Sequence, residues 1–161
     1  MREAERIADQ FRRAHEGDAW HGPSLRELLR DVTAEQAEAR PVAGAHSIRE
    51  LVLHIAAWER VARRRLAGEA AQIYNTPEDW PAEASSEEAW REALKLLEEE
   101  NAKLREAILR LDDSKLDEPI HEGMSSAYVT LHGVVQHSLY HAGQIAVLKK
   151  ALAPDNATTT T

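Results

Sequence analysis

The sequence predicts an all-α protein, on three observations. Only 7 glycines and 6 prolines fall in 161 residues. Ala, Leu, Glu and Arg, all strong helix formers, are abundant. Apolar residues recur at spacings of three and four, and the alternating β-branched runs of strands are missing. The first helix is expected over about Arg2 to Glu16, where Ala4, Ile7, Phe11 and Ala14 share a face, and it stops near Gly17. Asp18 to Pro23 is a connector. Ser24 with Glu27, and Thr33 with Gln36, are capping boxes that open two helices too short to span a bundle. Ser47 with Glu50 opens a long helix to about Ala67, with Gly68 as its stop. Ser85 with Glu88 is read as the start of a third long helix reaching about Leu111. A fourth begins between Ser125 and Thr130 and runs to about Leu152.

Four long amphipathic helices, with residues 69–84 as a long crossover between the second and third, predict a four-helix bundle in which those two run parallel. One domain over residues 1–153 is expected, with 154–161 as a disordered tail.

Composition narrows the function. With no cysteine, neither a disulfide nor a thiolate metal site exists, so any metal chemistry uses nitrogen and oxygen. The formal charge of -8 opposes the phosphate attraction behind most nucleic-acid binding. No run approaches the ~18 apolar residues of a membrane span, and the charged N-terminus is unlike a secretory signal. A soluble cytoplasmic protein is expected.

His137 and His141, four apart on the last helix, project from one face, and an i, i+4 pair can share a metal. At 100° per residue, His54 sits about 100° to one side of its helix's apolar stripe, and His137 and His141 lie about 60 to 100° round in the same sense. The three can therefore line one seam, with at least one coordination position left open. On spacing alone, the alternative is three histidines hydrogen-bonded at the core boundary. Zinc or nickel is the expected metal, and iron or manganese suits the same nitrogens.

Around this set, Trp58 is one turn after His54 and is read first as packing. Glu50, one turn before, is a candidate to orient His54, although its capping box already accounts for it. Gln144 is placed to hold a water or substrate, and His21 is a candidate acid, base or substrate contact on a connector, or else a surface histidine. Glu59 falls inside the apolar stripe, where it needs a partner or a raised pKa, and a structural ion pair is expected. His15, His46, His121 and His132 are set apart from the ligand set. Tyr140 and Val147 point away from their stripe and are candidates for a homodimer surface.

The segments GAHSIRELVLHIAAWE at 44–59 and YVTLHGVVQHSLYHAGQIAVLKK at 128–150 resemble the DinB-like (YfiT-like) superfamily of metalloenzymes, as does AWHGPSLRELL at 19–29. The His-x-x-Tyr-His-x-Gly-Gln pattern on the last helix is the most specific part. The resemblance implies that His54, His137 and His141 are the metal ligands. Superfamily members with assigned activity are metal-dependent transferases or isomerases using low-molecular-weight thiols, and others carry only a provisional assignment as hydrolases. A metal-dependent thiol S-transferase acting on a small molecule is therefore expected, with a hydrolase as the alternative. A reading of another class is a non-catalytic dimeric binding module whose metal site is structural or vacant.

Overall fold

The computed structural model describes residues 1–81 and 85–153. The expected tail at 154–161 lies outside the described residues, as do 82–84 of the crossover. The described chain is helical: α1 (Glu3–Glu16), α2 (Leu25–Leu29), α3 (Ala34–Glu38), α4 (Ile48–Leu66), α5 (Glu87–Leu109) and α6 (Ala127–Leu152). A short 3-10 turn covers Asp113–Lys115.

The helix starts are chemical. Ser24, Thr33 and Ser47 each accept the backbone N–H three residues on, while Glu27, Gln36 and Glu50 accept the cap residue's own N–H, so two orphan donors are satisfied at each start. The third long helix starts differently from expectation. Its cap is Ser86 rather than Ser85, because the Ser86 hydroxyl accepts the Ala89 N–H at 3.0 Å. The residue three beyond that cap is then alanine, so no reciprocal box with Glu88 forms, and the helix ends at Leu109, short of Leu111. Gly68, at φ +87°, turns the chain out of α4 in the left-handed region that costs glycine least.

The chain ends of α1 and α5 cap one another. The Asp113 carboxylate accepts the N–H groups of Glu3 and Ala4 at 2.7 and 3.0 Å, beside the positive end of α1. Arg2 in turn donates to the Leu109 and Leu111 carbonyls at 2.8 and 3.0 Å, which the end of α5 leaves without helical partners.

α4 packs against α5 and α6, and α1 packs against the same two helices. One apolar cluster joins Leu51, Val52 and Ile55 of α4 to Leu97, Ile145 and Leu148, with Leu25 and Leu29 of α2 added. A second joins Ile7 and Phe11 of α1 to Leu104, Ile108 and Leu131. The short helices belong to this core: buried Trp90 donates its indole N–H to the Val32 carbonyl at 2.9 Å and ties the α2–α3 connection to α5. Trp90→Phe keeps most of the ring volume but strands that carbonyl, so a loss of about 1–3 kcal/mol is expected. A urea midpoint unchanged from wild type would refute the tie.

Glu59 is 1% exposed, and among the described residues it does not form the expected ion pair. Its neighbours Arg60 and Arg63 turn outward to Glu100, at 3.6 and 3.1 Å, where their charged ends stay partly hydrated. One Glu59 oxygen accepts from Asn101 Nδ2 at 3.2 Å and Ser138 Oγ at 3.5 Å, and the other has no hydrogen-bond partner among the described residues. Burial pushes its pKa up to about 7.

Candidate metal centre

The capping box of Ser47 sets the register of α4, and that register turns His54 toward α6. His137 and His141 meet it there from successive turns. His54 Nε2 lies 3.0 Å from His137 Nε2, and His141 Nε2 lies 3.1 Å from the same atom. One ligand nitrogen from each ring falls within 4.8 Å of the others, an arrangement able to hold a metal ion.

The outer nitrogens decide what the inner ones offer. A carbonyl oxygen only accepts, so the 2.7 Å contact between His54 Nδ1 and the Asp79 carbonyl requires the proton on Nδ1. Nε2 then carries a free lone pair. His141 Nδ1 donates likewise to Gln144 Oε1 at 2.7 Å, with the amide oriented oxygen-inward, and its Nε2 is left as an acceptor. His137 Nδ1 is buried without a hydrogen-bond partner among the described residues. Its ring carries one proton when neutral, so it cannot donate through Nε2 to both neighbours in separate linear hydrogen bonds. A shared cation resolves this crowding of lone pairs. The observed 3.0 and 3.1 Å separations are near the ~3.3 Å expected between nitrogens bound at ~2.0–2.1 Å in a tetrahedron. The residues fit the group that the resemblance implies.

Burial lowers the pKa of all three rings. For His54 and His141, desolvation outweighs the hydrogen bonds to Asp79 and Gln144 that favour the charged form. His137 is lowered to about 3 by desolvation first, then by the positive charges His141 and His54 would carry. Near neutral pH the set is uncharged, the form in which imidazole binds metal.

The crossover supplies what the sequence pattern did not reveal. Asp79 Oδ1 accepts the Trp58 indole N–H at 2.8 Å and lies 3.2 Å from His54 Nδ1. Trp80 stacks on His54 with ring centroids 3.9 Å apart, and its ring is also stacked with His46 at 3.5 Å. The available signal was the acid–tryptophan step flanked by Pro77 and Pro81, in a stretch otherwise poor in apolar anchors.

Gln144 thus stands beside the histidines through its hydrogen bond from His141, and Trp58 through the one it donates to Asp79. Glu50 does not orient His54. Its carboxylate is occupied by the Ser47 cap and by Arg40, 2.5 Å away, and the orienting contact comes from Asp79. His21 is exposed, on a separate cavity lined by Trp20 and Leu139, and is not brought to the three histidines.

A crystal structure described as a conserved protein from Enterococcus faecalis superposes with a TM-score of 0.71 at 17% identity, over 94% of this chain and 97% of that one, which shows a shared fold. No curated protein matches the chain. The family profile described as the DinB superfamily matches residues 19–145, which include all three histidines, and the chain belongs to that superfamily.

Proposed function

We propose that this protein binds one divalent transition metal, zinc or nickel first, through Nε2 of His54, His137 and His141, and acts as a metal-dependent thiol S-transferase. The convergence of three neutral imidazoles, two with tautomers set from outside, is the observation that carries the reading. When bound, the metal supplies Lewis acidity that lowers the pKa of a thiol, or of water in the hydrolase alternative. The Asp79 carbonyl and Gln144 keep His54 and His141 in the ligand tautomer, and Trp80 excludes water from one face of His54. With no cysteine in the chain, a sulfur nucleophile has to come from a small cosubstrate thiol, as a reducing cytoplasm provides.

The scaffold is read as one domain over 1–153, a four-helix bundle whose crossover lets α4 and α5 run parallel. The order of contacts supports this: Leu53 and Leu96 line one cavity, Glu59 meets Asn101, and Leu66 lines another cavity with Ala107 and Arg110. Among the described residues, no helix is long and apolar enough to cross a membrane.

Elemental analysis of protein purified without an affinity tag tests the site. Near-stoichiometric metal is expected in the wild type and none in a His54→Ala, His137→Ala, His141→Ala variant that keeps its helical circular dichroism. Thiol-dependent turnover of an electrophile, lost on chelation and restored by metal, would support the transferase. Hydrolysis independent of thiol would favour the alternative. No metal in the wild type after incubation with zinc, nickel, iron and manganese would end the metalloenzyme reading.

A further inference from the structure

On the outer face of α6, Val129, Gly133, Gln136, Tyr140, Gly143 and Val147 are all exposed, at successive steps of 4, 3, 4, 3 and 4. This is the a/d spacing of a coiled-coil seam, on the side of the helix away from its own core. Val129, Tyr140 and Val147 are 55%, 66% and 60% exposed. From Ala127 to Leu148 the helix carries no Asp, Glu, Lys or Arg, in a chain that is 30% charged. Depletion of charge with exposed tyrosine and valine marks the centre of a protein interface more than a solvated face.

The order of these residues identifies the occupant. The stripe is nearly palindromic about Ser138: valine matches valine at 129 and 147, glycine matches glycine at 133 and 143, and Gln136 matches Tyr140. An antiparallel helix pair places each a residue opposite a d residue, and a twofold axis at Ser138 makes the pairs Val129 with the partner's Val147 and Gly133 with the partner's Gly143. A Cβ built at Gly133 or Gly143 meets nothing, so the backbone is open to close approach there, and each tyrosine ring has the adjacent glycine layer as its hole. We infer that α6 pairs antiparallel with α6 of a second copy of this chain across this stripe.

Electrostatics favours the same occupant. Two copies of net charge -8 repel, and this uncharged face lets them meet without opposing like charges at the seam. The apolar surface also continues sideways from Tyr140 and Val147 into a cavity of about 460 Å³ bounded by Val42, which widens the contact beyond one helix. His137 and Gln144 follow d residues directly and so flank the seam, which puts the partner's helix along the border of the histidine site.

Light scattering on the full chain at tens of micromolar is expected to give twice the 18.0 kDa chain mass, and Tyr140→Glu, with helicity unchanged, to return the chain mass. Because the chain has no cysteine, register can be read directly. Oxidation should join Val129→Cys/Val147→Cys into covalent dimers and leave Val129→Cys alone unjoined, its own mate lying about 27 Å away along the helix. A monomeric wild type would overturn the inference. So would a dimer that survives both Tyr140→Glu and Val147→Glu, or one that Val129→Cys alone cross-links.

Discussion

Glu59→Gln should stabilise the protein by roughly 3 kcal/mol at pH 8 and by almost nothing at pH 4. The carboxyl is fully buried, and burial raises its pKa from an ordinary 4.5 to about 7. His15 opposes that rise electrostatically, Asn101 and Ser138 oppose it by hydrogen bonding, and Glu100 adds to it. A raised carboxyl pKa means that the folded chain holds a proton the unfolded chain releases. Stability therefore falls as pH climbs from about 4.5 to about 7, and the full cost is present above that range. Glutamine keeps the shape and accepts from Asn101, but it cannot ionise. Urea titrations of both proteins at pH 4 and pH 8 measure the difference directly. A gain of equal size at both pH values would show that packing, rather than ionisation, separates the two side chains.

Asp79→Ala should weaken metal binding by about 10–100-fold, the usual cost of losing a group that orients a metal-binding histidine. The Asp79 carboxylate accepts from Trp58 and faces His54 Nδ1, and the Asp79 backbone carbonyl accepts the hydrogen bond from His54 Nδ1–H. Without the carboxylate, the carbonyl and the Trp80 stack remain, but the connector that carries them loses its hydrogen bond to Trp58 of α4. Trp58→Phe removes one of these contacts and should cost less. Zinc affinity by competition with a chelator, at constant helicity, measures both. Affinity equal to wild type in Asp79→Ala would place the whole orienting role on the backbone carbonyl and the Trp80 stack.

The sequence by itself placed the helices to within a residue or two at most ends and, with the family resemblance, singled out the three histidines that the fold brings together. Capping boxes and apolar spacing are short-range: Ser47 and Glu50 settle the start of α4 through atoms three residues apart. The same period carries His137 and His141 to one face. Even there the choice between Ser85 and Ser86 fell to which hydroxyl reaches the free N–H of Ala89. What only the tertiary structure decided depends on residues far apart in the chain. Glu59 found Asn101, 42 residues on, because its neighbouring arginines had water to reach and it did not. His54 found its orienting carbonyl 25 residues on, in a connector with no helical period to predict where Asp79 and Trp80 would land. Glu50 was excluded by competition, since a carboxylate already engaged by Ser47 and Arg40 is not free to turn one helical step toward a histidine. Local periodicity places side chains on faces, whereas the partner of a buried polar group is set by which distant donor the packed core brings within reach.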